Sequence, residues 1–381
     1  MSYDFAHYLE RLPKTTFDDL HIPDAHFFLI DRLIAFDHRD KKAWAVVSPG
    51  LRNPGGDLSL IYDEAEDTLD RICRIGHGGQ VLQYNKRFIA RPLRIESDIA
   101  RPDPSASIKI IHEMKKGDYM DMVKRAKEYI AAGDIFQANL SQRVSAYIGE
   151  LNPWDLYRIL RDINPAPFAG LIDFGDYCIV SSSPERLVRV REGIIETRPI
   201  AGTRPRGRDI REDEEMRKEL LLNEKERAEH IMLIDLERND LGKVSDYGSV
   251  EVDELMITED YSHVIHIVSN IRGILAPRRT CLDAVKAVFP GGTITGVPKV
   301  RCMEIIDELE PVRRGPYTGS MGYIGFSGNM DLNIIIRTFV IKNGYAYVQV
   351  GAGIVADSDP EREYYETIKK AEALIRTLER I

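Results

Sequence analysis

Residues 320–378 read SMGYIGFSGNMDLNIIIRTFVIKNGYAYVQVGAGIVADSDPEREYYETIKKAEALIRTL, and the order of patterns within them decides the fold. Three short apolar runs, at 320–326, 332–341 and 346–355, follow one another across polar or glycine-bearing turns, as successive strands do. Helical spacing begins only after the third run, from Pro360 to about Leu378. The same order recurs upstream. Residues 134–149, 168–175, 177–183, 186–198 and 263–275 read as strands, many in hairpin-like pairs. Residues 119–132 read as a helix stopped by Gly133, and the charged run 211–238 reads as one long helix. Helices are interspersed without strict alternation, which predicts an α+β architecture and not a doubly wound parallel sheet.

Nearer the N-terminus, residues 27–36 and 43–48 read as strands, and Leu58 to about Ile75 has helical spacing. Residues 91–107, with Pro92, Pro102 and Pro104, read as a linker, which predicts a division into 1–107 and 108–381. Hydrophobic residues form 43% of the 381, enough for a large core. A net charge of -9 argues against nonspecific binding to nucleic acid or an anionic membrane, because both need a cationic face. A small-molecule substrate fits better. Cys73, Cys178, Cys281 and Cys302 show neither disulfide-scaffold density nor zinc spacing, so a reducing cytoplasm is expected. No apolar run is long enough to span a bilayer.

Several side chains could carry chemistry. On the closing helix, Glu363, Glu366 and Lys370 fall within about 60° of one another beside the apolar stripe Tyr364, Ile368, Ala371 and Ile375. A solvated rim with a Glu366–Lys370 salt bridge would look the same. Glu229 lies one turn before Met232, Leu233 and Leu236, with Glu226 a turn earlier. A carboxylate on that face needs a cation or donors. If Glu229 and Glu366 converge, an all-oxygen ligand set suits Mg²⁺. Glycine-bearing turns at 199–207, 290–299 and 351–358 could bring backbone amides close to an anion. Val297 and Pro298 stand where a phosphate loop needs Lys and Ser or Thr, so no nucleotide site is expected there. His266 and Arg337 sit within apolar strand patterns. His266 reads as a core residue or a site residue, and Arg337 as structurally paired or aimed at a carboxylate.

Taken together, DIFQANLSQR, SSSPERLV, RPIAGTRPRG, AEHIMLIDLERNDLG, HVIHIVS, FPGGTITGVPK, YTGSMGYIGF and GAGIVADSDPEREYYET resemble the chorismate-utilising family, in that family's order over residues 108–378. The family includes anthranilate, aminodeoxychorismate, isochorismate and salicylate synthases. The resemblance implies an anthranilate-synthase-like fold, with large, mostly antiparallel sheets packed with helices, and residues 108–381 as the chorismate-binding catalytic domain. It implies Glu229 and Glu366 as Mg²⁺ ligands, with Glu226 and Glu363 nearby through water, the metal holding the ring carboxylate. Arg337 and Tyr317, with the amides of Gly351 and Gly353, would hold the enolpyruvyl carboxylate. Glu185 would be the general acid for the departing C4 hydroxyl, His266 and Thr203 would line the ring, and Lys370 would orient the metal-site carboxylates.

By the same resemblance, water-adding members carry a lysine where this chain has Gln137, so ammonia is the implied nucleophile. It would come from a separate glutamine amidotransferase subunit. Asn139, Gly292 and Thr295 resemble the para-aminobenzoate branch, whose product is 4-amino-4-deoxychorismate. Ala201 resembles anthranilate synthases, where many aminodeoxychorismate synthases carry a lysine. The reading from another class is a catalytically silent chorismate- or partner-binding protein. The opening SYDFAHYLERLP resembles the middle of the family's N-terminal region, so residues 1–107 are expected to be a remnant of it. The expectation includes no tryptophan inhibition and an exposed sheet edge.

Overall fold

The computed structural model describes residues 1–49, 55–75, 88–89, 108–260 and 264–381. The expected linker at 91–107 lies outside the described residues. Two compact units form, one from residues 1–25 with 102–381 and the other from residues 26–101. The smaller unit holds strands β1 (Arg32–Asp37), β2 (Lys42–Val47) and β3 (Phe88–Ile89), an antiparallel sheet in the order β1-β2-β3, and helix α1 (Leu58–Ile75).

The larger unit opens with β4 (Ile110–His112), α2 (Lys116–Ala132), β5 (Gln137–Tyr147), α3 (Pro153–Ile163), β6 (Phe168–Asp173) and β7 (Tyr177–Ser183). It continues through β8 (Arg186–Arg191), β9 (Ile194–Arg198), β10 (Ile200–Pro205), α4 (Ile210–Leu222), α5 (Glu224–Gly242), β11 (Glu251–Asp260), β12 (Val264–Ile274) and α6 (Cys281–Val288). The last elements are β13 (Gly296–Val297), α7 (Lys299–Leu309), β14 (Gly322–Ile324), β15 (Met330–Asn333), β16 (Thr338–Lys342), β17 (Tyr345–Ile354) and α8 (Pro360–Glu379). One sheet runs β13-β5-β17-β16-β7-β6, with β4 on β5, and the other runs β10-β12-β9-β8-β15-β14, with β11 on β12. All these pairs are antiparallel, as an α+β chain of consecutive hairpins requires. One core joins α2, α5, α6 and α7 to β8, β15 and β17, through Val123, Ile234, Val285, Met303, Val188, Leu332 and Ile354. A second core lies between α3, α8 and the β5-side sheet, around Leu156, Leu374 and Phe339.

Three expectations change. The charged run 211–238 is two helices, not one, because Asn223 ends α4 with extended backbone and its side chain accepts the Glu226 N–H to start α5. The run 332–341 is two strands in different sheets. The chain crosses between the sheets at 334–337, where Arg337 takes a left-handed φ of 52°. The N-terminal residues 1–25 group with the larger unit, whereas a single segment 1–107 was expected. Long-range bonds hold them: the Met1 amine donates to Ser320 O at 2.8 Å, Tyr3 N to Gly315 O at 2.7 Å, and Thr16 Oγ1 to Asp307 Oδ1 at 2.9 Å. No described helix is long and apolar enough to cross a membrane. All four cysteines are free thiols.

Candidate active site

The site forms where the chain passes between the two sheets. β7 delivers Glu185 at one crossing, and the β15–β16 passage delivers Arg337 at the other. The crossings are stitched together: Ser182 N donates to Arg337 O at 3.0 Å, Ile334 N to Glu185 O at 3.0 Å, and Ser183 Oγ to Ile334 O at 2.6 Å. A left-handed backbone costs a non-glycine residue about 1 kcal/mol, and these bonds hold Arg337 in it.

Glu185 is only 6% exposed. Burial pushes its carboxyl up to about 7, with Thr293, the Ile200 amide and the Lys370 charge pulling back. That pull is not a closed bond, because Glu185 Oε1 and Thr293 Oγ1 are both buried without a hydrogen-bond partner. A carboxyl half-protonated near neutral pH is what a general acid needs. Arg337 makes no ion pair among the described residues; burial draws its guanidinium below the ordinary value, and Tyr317 opposes this. An unpaired, largely enclosed guanidinium invites an anionic ligand.

Gly351 and Gly353 stand opposite Ser141 and Asn139 on β5. Asn139 N donates to Thr295 O and Ser141 N to Glu310 Oε1, both 2.8 Å and both directed away from β17. Antiparallel alternation then gives the ladder bonds to Ala352 and turns the Gly351 and Gly353 N–H groups away from β5. β16 pairs with β17 only as far as Val348, so those amides lie beyond its end. A Cβ at Gly351 would fall 2.5 Å from Asn139 Oδ1 and 2.8 Å from the Tyr317 hydroxyl, and one at Gly353 would fall 2.6 Å from Gln137 Nε2. Glycine is needed for close approach at Gly351, where a Cβ would also fall 2.9 Å from the Leu140 carbonyl; at Gly353 only the Gln137 side chain is met.

The other side of the site comes from β10, β12, α5 and α8. Thr203 Oγ1 lies 3.1 Å from His266 Nδ1, which is also 3.0 Å from Gly202 O. Burial lowers the His266 pKa, so the ring is neutral at neutral pH. Ala201 pairs with Ile267 just before a bulge at Gly202, whose φ is 58°. A side chain there would strike Glu226 Oε2 at 2.4 Å. Glu226 Oε1 accepts from Arg204 at 2.8 Å, while Oε2 is buried without a partner.

The carboxylates of α5 and α8 converge. Burial raises the Glu229 pKa, Lys225 at 3.8 Å pulls it back, and the charges of Glu226, Glu363 and Glu366 push it up again. Glu363 is raised by burial and by Glu366, with Ser358 opposing. Lys370 bridges the two halves of the site, 2.9 Å from Glu366 Oε1 and donating to Gly351 O at 2.9 Å. Among the described residues no group of three or more side chains is already gathered at metal-holding distance. The donor set nonetheless fits a hard divalent cation: Glu229 feels the negative charges of Glu226, Glu363 and Glu366, and the ion pairs to the set among the described residues come from Lys225, Lys370 and Arg204.

Contacts and charge interactions link Lys370 to Glu185, Glu366 and Gly351, Glu229 to Glu226, Glu363 and Glu366, His266 to Thr203 and Arg337, and Tyr317 to Arg337; Gly351 and Gly353 stand against Tyr317 and Gln137, and Ala201 precedes the Gly202 bulge. Sequence reasoning did not assign site roles to Asn139 and Thr293, and it missed Glu237. Burial pushes the Glu237 carboxyl up to about 8; Thr197 pulls it back, and the charge of Glu185 raises it further. Polar residues at 137, 139 and 141, one face of a strand, were the available signal for Asn139, but a solvated face shows the same alternation.

A buried acid, an arginine without an ion pair among the described residues and a carboxylate cluster are the chemistry of an enzyme acting on small carboxylated molecules. The family model described as chorismate binding enzyme matches residues 1–376, and the chain belongs to that family. It is 46% identical to anthranilate synthase component 1 of Acetivibrio thermocellus, over 99% of this chain and 74% of that protein. It is 43% identical to aminodeoxychorismate synthase component 1 of Bacillus subtilis, over 100% of this chain and 76% of that protein. The crystal structure of anthranilate synthase component I from Streptococcus pneumoniae superposes with a TM-score of 0.83 at 38% identity, covering 99% of this chain and 79% of that one.

Proposed function

We propose that this chain aminates chorismate with ammonia to give 4-amino-4-deoxychorismate, as the Mg²⁺-dependent synthase subunit of a glutamine-using complex. The observation that carries the reading is Glu185: a buried carboxyl at about 7, with an unpartnered oxygen, that feels the Lys370 charge and sits on the crossing bonded to the one that presents Arg337. Glu185 gives its proton to the departing C4 hydroxyl, so the C–O electron pair leaves as water. The C–N bond forms from the ammonia lone pair, and the nitrogen releases one proton, which balances the one Glu185 gave. Arg337, Tyr317 and the amides of Gly351 and Gly353 hold the enolpyruvyl carboxylate, while His266 and Thr203 line the ring. Glu229 and Glu366 would hold Mg²⁺, with Glu226 and Glu363 through water and Lys370 orienting them; a bound Mg²⁺ would supply positive charge for the ring carboxylate. A separate glutamine amidotransferase subunit would deliver the ammonia. Gln137 offers no base, which favours ammonia over water.

Ala201 favours a second reading, anthranilate synthase component I, with loss of pyruvate. Incubating the chain with chorismate, Mg²⁺ and an ammonium salt, with and without a lyase that converts aminodeoxychorismate, separates the two. The expected product is seen only through the lyase; fluorescent anthranilate without it would replace the first reading with the second. Glu185→Gln should lower turnover by about 10³-fold. Absence of any amine product in the parent chain would sink both.

A further inference from the structure

The turn that carries Tyr317 lies outside every described helix and strand, and two of its residues, Gly315 at φ 55° and Thr318 at φ 60°, hold left-handed backbone. A β-branched residue takes that conformation only where its surroundings impose it. On one side the turn is bonded to the passage leading to Arg337: Thr318 N donates to Ile335 O at 2.8 Å and Ile335 N to Gly319 O at 2.9 Å. On the other side it is bonded to residues 1–4. Tyr3 N donates to Gly315 O at 2.7 Å, Gly315 N to Asp4 Oδ2 at 2.8 Å, and Ser320 N to Met1 O at 2.8 Å. Both Tyr3 and Asp4 are buried. The Arg314 guanidinium lies over the Tyr3 ring, at 4.8 Å, and over the Tyr317 ring, at 5.6 Å.

We propose that Tyr3 and Asp4 are positioning residues for Tyr317, so that the N-terminal segment sets the affinity for a carboxylated substrate it does not contact. The proposal rests on the reading above that gives Tyr317 the enolpyruvyl carboxylate. No ladder of a sheet or turn of a helix fixes this tyrosine, so its hydroxyl is placed by whatever grips the turn. Tyr3 and Asp4 grip it at Gly315, two residues before Tyr317, and the Tyr3 ring supports the guanidinium that meets the Tyr317 ring. The Tyr317 hydroxyl stands beside Gly351, where a Cβ would fall 2.8 Å from it, so a shift of the turn moves it against β17. Hydrogen bonds weaken steeply away from their best length and angle, and a displacement of about 1 Å is enough to lose one.

The test compares Tyr3→Leu, which removes the ring, with Tyr3→Phe, which removes only a hydroxyl that has no partner. It also compares Asp4→Ala with Asp4→Asn, which keeps an acceptor for Gly315 N. Melting curves confirm folding, and equilibrium binding with Mg²⁺ present measures chorismate affinity. Tyr3→Leu and Asp4→Ala should each weaken chorismate binding about tenfold, the effect of one lost hydrogen bond to a charged group, with kcat held within about twofold. Tyr3→Phe and Asp4→Asn should bind as the parent does. Adding Tyr3→Leu to Tyr317→Phe should cause no further loss, because the effect runs through the Tyr317 hydroxyl. Parental affinity in folded Tyr3→Leu and Asp4→Ala overturns the proposal. So does a full additional loss in the double variant, or failure of both single variants to fold, since either makes these residues structural. A parent chain that does not bind chorismate, or a Tyr317→Phe chain that binds it as the parent does, sinks the reading of Tyr317 itself, so the two failures are distinct.

Discussion

Two clusters of buried polar groups lie within a few residues of each other on β5, and they are built in opposite ways. Around Arg314 the guanidinium and the carboxylate it meets are fully used, although the hydroxyl of Tyr3, whose ring centre lies 4.8 Å from the guanidinium carbon, has no partner. The guanidinium contacts Glu310 at 2.6 and 2.9 Å, Ile294 O at 2.9 Å and Asn139 O at 2.6 Å. Ser141 N and Oγ then satisfy Glu310 at 2.8 Å each, and Gln349 closes the network on Ser141 Oγ at 2.8 Å. Nearby, Gln137, Asn139, Glu185, Thr293 and Glu226 each keep a buried atom without a partner. A buried polar network that closes on itself serves the fold; one left open in the same core waits for a ligand.

The largest expected effect comes from opening the closed cluster. Arg314→Met strands the Glu310 carboxylate, which is 2% exposed, and removing one partner of such a pair costs about 3–5 kcal/mol. Denaturant unfolding measures it directly. A variant of unchanged stability would mean that the Arg314 cluster is not structural, and the comparison would fail at its firmer end.

The α+β class and the closing helix were legible because strand and helix periods differ over long runs, as at 346–355 and 360–378. The break at Asn223 was not, because helix-forming charge continues on both sides and only the side-chain cap marks the boundary. Nor was the crossing at Arg337, since LNIIIRTFVI carries no glycine or proline where the chain changes sheets. Resemblance, not spacing, brought Glu229 to Glu366. Closed and open clusters also look alike in sequence: Ser141 belongs to one and Asn139 to the other, and only their partners in space separate them.

Glu237 tests the border between the clusters. Its Oε2 accepts from Thr197 Oγ1 at 2.6 Å, so it is partly satisfied, yet its pKa stands at about 8 against an ordinary 4.5. The native state therefore keeps a proton that the unfolded chain releases, and this group lowers stability as pH rises from about 4.5 to 8. Glu237→Gln, which keeps an acceptor for Thr197, removes that loss. Relative to the parent, the variant should gain roughly 2 kcal/mol or more of stability between pH 5 and pH 8. Parallel stability curves for parent and variant across that range would show that Glu237 is ionised and paired, and would move it into the closed cluster.

The smallest effect is expected at Gly353. A methyl group there meets only the Gln137 side chain, at 2.6 Å from Nε2, whereas at Gly351 it would also meet the Leu140 carbonyl, 2.9 Å away in the backbone. An amide that bonds to nothing can swing aside, so Gly353→Ala should change stability by less than about 1 kcal/mol, helped by the lower chain entropy of alanine when unfolded. The displaced Gln137 should still lower turnover with ammonia, because the amination reading places this side chain beside the nucleophile. Function would then change where stability does not, the inverse of the pattern expected at Arg314. A Gly353→Ala chain that loses several kcal/mol in a denaturant titration would show Gln137 to be held by the fold, and would remove it from the open set.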